Sequence, residues 1–221
     1  MRVVLVGGGG HASDVLGAFE DLYRATGRPG HPVVGLVDDR EVDGRRFHHR
    51  GVTQLGGVDD LGRLDATHYV VSVGWPATRR ALAERVAGCG LLAATVVHPA
   101  AHVAAGVPLG EGSVVLWGAH VSPMASLGRH TCVAHGALVG HDCEVGDFVT
   151  VMPGAAVSGD TVLLAGATIG TRAAVVEGVT IGAGAVVGAG AVVLEDVPAG
   201  VTAVGVPARW PTDRPVPGDG P

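Results

Sequence analysis

From residue 97 to residue 198 the chain can be written in sixes without one slip of register: VHPAAH, VAAGVP, LGEGSV and onward to VLEDVP. These are 17 consecutive hexads, and the first position of each is Val, Leu or Ile. A short fixed period of this kind marks a solenoid, whose units bury their apolar side by stacking on one another. Six residues that return one aliphatic side chain inward suit a short strand plus a turn. Three such strands close a triangular coil of 18 residues, so the stretch holds about six coils of a parallel β-helix. Glycine often follows the aliphatic residue, as at Gly110, Gly128, Gly140, Gly146, Gly170, Gly182 and Gly188. It recurs two positions later at Gly112, Gly118, Gly136, Gly154, Gly166, Gly178, Gly184 and Gly190. Glycine is expected there because the chain turns corners with unusual backbone angles or packs closely on the next coil.

The period changes how composition is read. Glycine makes up 37 of 221 residues and aromatics only 4%, which without a repeat would suggest low complexity. A net charge of −6 argues against a nucleic-acid footprint. No apolar run of membrane-spanning length is free of glycine, and the N-terminus opens on a strand rather than a signal-peptide layout. Cys89, Cys132 and Cys143 give no paired framework and fit a reducing cytoplasm. Cys132 and Cys143 read as small packed residues.

Ahead of the solenoid, RVVLV (2–6), VVGLVDD (33–39) and THYVVSVG (67–74) read as strands that alternate with helical stretches. That alternation implies a small parallel, Rossmann-like α/β domain over residues 1–96, with the β-helix over 97–198 and an extension over 199–221. Ser13 or Asp14 is a candidate N-cap for the first helix. The run Gly7 to Gly10 sits where such folds hold phosphate or ribose, and Asp38 and Asp39 end the second strand near where a nucleotide's sugar or base edge would lie. His11 and Ala12 interrupt a clean GxGxxG, so a nicotinamide cofactor is not favoured; a plain tight turn is the alternative. Arg45, Arg46 and Arg50 lie in a polar segment that reads as an exposed loop. The Pro-rich tail, residues 211–221, reads as loose.

Counting by 18 along the solenoid finds the chemistry. Gly159 falls one coil above His141, and Asp142 follows that histidine. A base with pKa near neutrality, a carboxylate to orient it and a glycine N–H aimed at a developing oxyanion are what acyl transfer requires. The other histidines lack a third partner at metal-ligating spacing, so no metal is expected.

At these residues the sequence resembles a family. GGGGHA near the start, VDD after the second strand, VVHP at the junction, the GHDCxxGD block, the Gly159 turn and a closing GVPAR together are similar to bacterial sugar acyltransferases of the sialic-acid O-acetyltransferase type. The amino-sugar N-acetyltransferases of bacillosamine and perosamine biosynthesis share this layout. The resemblance implies a left-handed coil, a homotrimer and acetyl-CoA as co-substrate. It implies His141 as general base with Asp142 beside it, and Gly159 against the thioester carbonyl. The cofactor would further meet Gly170, Gly188, Ala189 and the position of Thr150, where many relatives carry histidine. Gly8, Gly10, His11, Asp38, Asp39 and Gly74 match the nucleotide-sugar end, and Trp75 is a departure that could stack on a base or sugar. Gly140 departs as well, since relatives often carry an acidic residue there.

The expected activity is therefore acetyl transfer to the amine of a nucleotide-linked amino-deoxy sugar. The alternatives are O-acetylation of a sugar of the sialic-acid type, or a non-catalytic trimeric scaffold that senses a nucleotide.

Overall fold

The solenoid is organised by parallel pairing between strands 18 residues apart: Leu138 with Ala156, Glu144 with Val162, Thr150 with Thr168. The structure, a computed structural model, describes residues 1–210; the tail expected to be loose lies outside the described residues. Two-residue strands stack into three parallel sheets, one per face of a triangular prism. The first face holds Val96–Val97, Val114–Val115, Cys132–Val133, Thr150–Val151, Thr168–Ile169, Val186–Val187 and Thr202–Ala203. The second runs from His102–Val103 through His120–Val121, Leu138–Val139, Ala156–Val157 and Ala174–Val175 to Val192–Val193. The third holds Ser126–Leu127, Glu144–Val145, Val162–Leu163 and Thr180–Ile181.

The hexad explains the prism residue by residue. First-position side chains such as Val139, Val151, Val157 and Ile169 point inward and are fully buried. The fifth position is also buried, and small: Ala119, Ala137, Cys143, Ala155 and Ala167 fill the corners. The two glycine positions have different causes. At the second, a side chain would strike the next coil; a Cβ on Gly170 would lie 2.5 Å from Val187 O. At the fourth, the chain takes the left-handed conformation, which Gly136 adopts at φ 63° and Asp142 at φ 56°.

The N-terminal unit is a five-stranded parallel sheet in the order β3-β2-β1-β4-β5. Its strands are β1 (Val3–Val6), β2 (Val33–Val37), β3 (Gln54–Gly56), β4 (His68–Val71) and β5 (Leu92–Ala93). The three expected strands are present; the two edge strands are too short to leave a pattern in sequence. Residues of β1 are buried throughout, as befits a central strand covered on both faces. Helix α1 (Gly10–Ala25) begins earlier than expected, capped by Gly9 with no side-chain hydrogen bond. Ser13 and Asp14 therefore lie inside it rather than capping it. Helix α2 (Pro76–Arg85) starts with proline at its first position, where a missing N–H costs nothing. The segment expected as an exposed loop contains two short 3-10 turns pinned by buried Phe47. Arg50 points back to α1, pairing with Glu20 at 2.7 Å and donating to Ser13 Oγ at 2.9 Å.

This unit docks on the first face. Val96, Val114 and Leu116 join the core made by Val3, Leu5, Val15 and Leu16. Phe148 joins the opposite layer with Val4, Val6 and Tyr69. His98 Nε2 donates to Asp21 at 2.8 Å while its Nδ1 accepts from the Ala100 N–H. Among the described residues no helix is long and apolar enough to cross a membrane.

Candidate active site

The turn between Leu138–Val139 and Glu144–Val145 lies on the edge shared by the second and third faces, opposite the face that carries the N-terminal unit. A Cβ on Gly140 would stand 2.6 Å from Gly159 N, so coil packing requires glycine there. Cys143 points into the prism and is buried. His141 and Asp142 remain outside, with His141 Nδ1 and Asp142 Oδ2 2.9 Å apart. An ionised carboxylate can only accept, so Nδ1 carries the proton and Nε2 keeps a free lone pair. The imidazole pKa is raised above its ordinary 6.5, first by the hydrogen bond to Asp142 and further by the charges of Asp142, Asp160 and Glu177.

Above this pair, Asp160 N–H donates to His141 O at 2.9 Å and sets Gly159 over the imidazole. A Cβ on Gly159 would lie 2.5 Å from His141 Nε2. The Gly159 N–H has no acceptor among the described residues. Pro99, Pro123 and Pro153 occupy the same third place in their own hexads, which shows that the coil needs no N–H there. A base with a free lone pair and an unspent N–H within one coil of it are suited to acyl transfer.

A second set of residues lines a crevice in the N-terminal unit. Strand β1 is flanked by β2 and β4, so the chain reverses its direction of winding at this point, and the carboxyl ends of β1 and β4 are where a sheet of this kind offers a ligand crevice. Among the described residues, Gly9, Gly10 and Gly74 have nothing within 4 Å of where a side chain would begin. The first turn of α1 holds no acidic residue, which leaves its dipole to favour an anion. Asp38 braces this loop, accepting from Gly8 N–H at 2.9 Å and Arg40 N–H at 3.0 Å. Trp75 caps α2 at the crevice mouth, next to Gly74.

A family model described as the PglD N-terminal domain matches residues 2–86. No curated protein sequence matches the chain. Among solved structures, the perosamine N-acetyltransferase of Caulobacter crescentus, a histidine-to-asparagine mutant in complex with CoA and GDP-perosamine, is 33% identical. The match covers 96% of this chain and 98% of that one, with a TM-score of 0.85. This chain belongs to the hexapeptide-repeat nucleotide-amino-sugar acetyltransferase family. The acetyltransferase domain of PglB from Neisseria gonorrhoeae FA1090, in complex with acetyl coenzyme A, is 32% identical with a TM-score of 0.82, over 95% of this chain and 98% of that one. WeeI from Acinetobacter baumannii AYE is 26% identical with the same TM-score, over 95% and 99%. The family's fold, a left-handed parallel β-helix behind a small α/β domain, is the fold of this acetyltransferase.

In this family member the expected site residues fall into three places. His141, Asp142 and Gly159 share one edge. Gly170, Gly188 and Ala189 lie on the edge between the first and second faces, where both glycines are also required by packing; a Cβ on Gly188 would lie 2.7 Å from a methyl of Val204. Gly10, Asp38, Gly74 and Trp75 gather at the carboxyl ends of the N-terminal strands, while Gly8 is buried against Val42 with its N–H held by Asp38.

Two expectations are corrected, at Thr150 and Asp39, and His11 is placed beside the solenoid. Thr150 faces the N-terminal unit and is 1% exposed. Its hydroxyl donates to Gly74 O at 2.9 Å and accepts from Arg79 at 2.9 Å, so no surface is left for a cofactor. Asp39 turns out of the crevice, accepting from Val58 N–H and pairing with Arg85, which also holds Asp59. His11 lies against the solenoid, with Nε2 3.7 Å from Cys132 Sγ. Burial, and then the nearby Arg79 and His135, push its pKa down to about 4.

Glu177 and Arg79 were not expected at all. Glu177 is one further step of 18 beyond Gly159, so the same count finds it. Arg79 carries no such signal, because its role depends on docking.

Proposed function

We propose that this protein transfers the acetyl group of acetyl-CoA to the amino group of a nucleotide-linked amino-deoxy sugar, with His141 as general base. The observation that carries the reading is the free Nε2 of His141 beside the unspent N–H of Gly159. The sugar amine attacks the thioester carbonyl, and Nε2 takes its proton. The carbonyl oxygen gathers negative charge against the Gly159 N–H, and the CoA thiolate leaves as the tetrahedral intermediate collapses. The Nδ1–H bond to Asp142 holds the tautomer that this requires.

In this reading residues 1–96 bind the nucleotide, and residues 97–198 carry the transfer. The base stands on the edge opposite the docked unit, so a second subunit must present its crevice to it. A homotrimer about an axis along the prism meets that need. Support comes from the outer side of the second face, where exposed Leu138 and part-exposed Ala156, Ala174 and Val192 form an apolar row. The same association would bring the edge with Gly170, Gly188 and Ala189 toward a neighbour's His141 and leave CoA between subunits. Unpaired cysteines and an acetyl-CoA donor fit a cytoplasmic enzyme.

The test is acetyl transfer to a panel of UDP-, GDP- and dTDP-linked amino sugars, with His141→Ala alongside. Wild-type turnover on one member, and a loss of about 10²–10⁴-fold in the variant, are expected. No transfer to any member, or full turnover by the variant, overturns the reading.

A further inference from the structure

Arg79 is 2% exposed and has no carboxylate within ion-pair distance among the described residues. Its five N–H groups are spent on uncharged acceptors from two parts of the chain. Nη1 donates to Val73 O at 2.9 Å and Gly74 O at 2.7 Å, both in the crevice loop. Nε donates to His130 O at 2.7 Å, and Nη2 to Phe148 O, Val149 O and Thr150 Oγ1 at 2.9, 3.1 and 2.9 Å. Guanidinium cannot shed its proton in a protein, so a full charge is buried without a counter-ion, an arrangement that costs stability unless geometry is exacting. A greasy side chain would join the two units with less penalty. What the guanidinium provides is a planar fork that fixes two backbones in one relation.

The geometry of that relation bears on the proposed reaction. His130 and Thr150 bracket one coil of the solenoid, and His141 lies on that coil. We propose that Arg79 is a positioning residue for the nucleotide sugar: it holds the Gly74–Trp75 side of the crevice at the axial height of the coil that carries His141. Rotation about an axis along the prism preserves height, so the crevice of one subunit stays level with the base of its neighbour. The buried positive charge also lies directly behind Gly74, whose carbonyl it binds. This inference rests on the reading of the crevice as the nucleotide-sugar site.

The test compares Arg79→Lys, which keeps the charge and loses the fork, with Thr150→Val, which removes one fork partner. Both are assayed for fold by circular dichroism, for steady-state kinetics on each substrate, and for binding of GDP, UDP and dTDP by calorimetry. Misplacement of about 1 Å can cost on the order of 10²-fold. Arg79→Lys is expected to lower kcat/KM for the nucleotide sugar by about that factor and to weaken nucleoside diphosphate binding, while CoA binding and the acetyl-CoA KM stay at wild-type values. Thr150→Val should show a smaller loss of the same kind, and it carries the test if Arg79→Lys does not fold. Equal losses for both substrates, or wild-type kinetics in both folded variants, overturn the proposal. Wild-type protein that binds a nucleoside diphosphate but transfers acetyl to no amino sugar refutes the proposed function alone, and the binding comparison then decides the role of Arg79.

Discussion

Gly159 faces His141 across one coil, so closely that a Cβ on the glycine would lie 2.5 Å from Nε2 of the imidazole. The base and the candidate oxyanion donor are thus held by one β-ladder and cannot be adjusted separately. Gly159→Ala is expected to push the imidazole aside and cut turnover by on the order of 10²-fold. The fold should survive, because the strands on either side are unchanged; circular dichroism checks that, and normal turnover in a folded variant would separate the two residues functionally.

The carboxylate of Asp142 raises the pKa of His141 above 6.5. A general base must be neutral to accept a proton, so activity should rise as pH climbs through that raised value. Asp142→Asn removes the charge and the strong acceptor, which should move the acidic limb of the kcat/KM profile to lower pH and reduce its plateau. A limb that stays in place would assign it to another group.

Burial, and then the nearby Arg79 and His135, leave His11 neutral, with a folded pKa of about 4 against an ordinary 6.5. The unfolded chain takes up a proton as pH drops below 6.5, while the folded chain refuses it until about 4. Stability is therefore complete above pH 6.5 and is lost as pH falls from 6.5 toward 4, by up to about 3 kcal/mol from this one group. Denaturant unfolding of wild type and His11→Gln across this range should give a shallower loss in the variant. Parallel curves would refute the assignment.

Asp38 and Asp39 are neighbours in sequence with opposite tasks. Asp38→Ala frees the Gly8 loop and should raise the KM for the nucleotide sugar about tenfold, the worth of one hydrogen bond to a charged group. Asp39→Ala should leave KM unchanged, because its exposed ion pair with Arg85 lies outside the crevice. Equal effects of the two substitutions on KM would contradict this division.

The hexad period determined the prism by itself. A strict repeat allows one way of stacking, and a step of 18 residues translates directly into one step along the axis. For that reason His141, Asp142 and Gly159 were legible as a column before any coordinates, and one more step would have added Glu177. The glycine loop and Asp38, which braces it, were legible as neighbours for a similar reason: βα turns are local.

What only the tertiary structure decided is how the two units meet. Docking on the first face turned Thr150 from an expected cofactor contact into a buried link between Arg79 and Gly74, and it drew His11 against Cys132. It also put the base on the edge farthest from its own crevice. Asp39 was lost to Arg85 because that arginine approaches from a helix 46 residues on. None of these contacts follows a period. They depend on which surfaces exclude water from one another, and no local spacing records that.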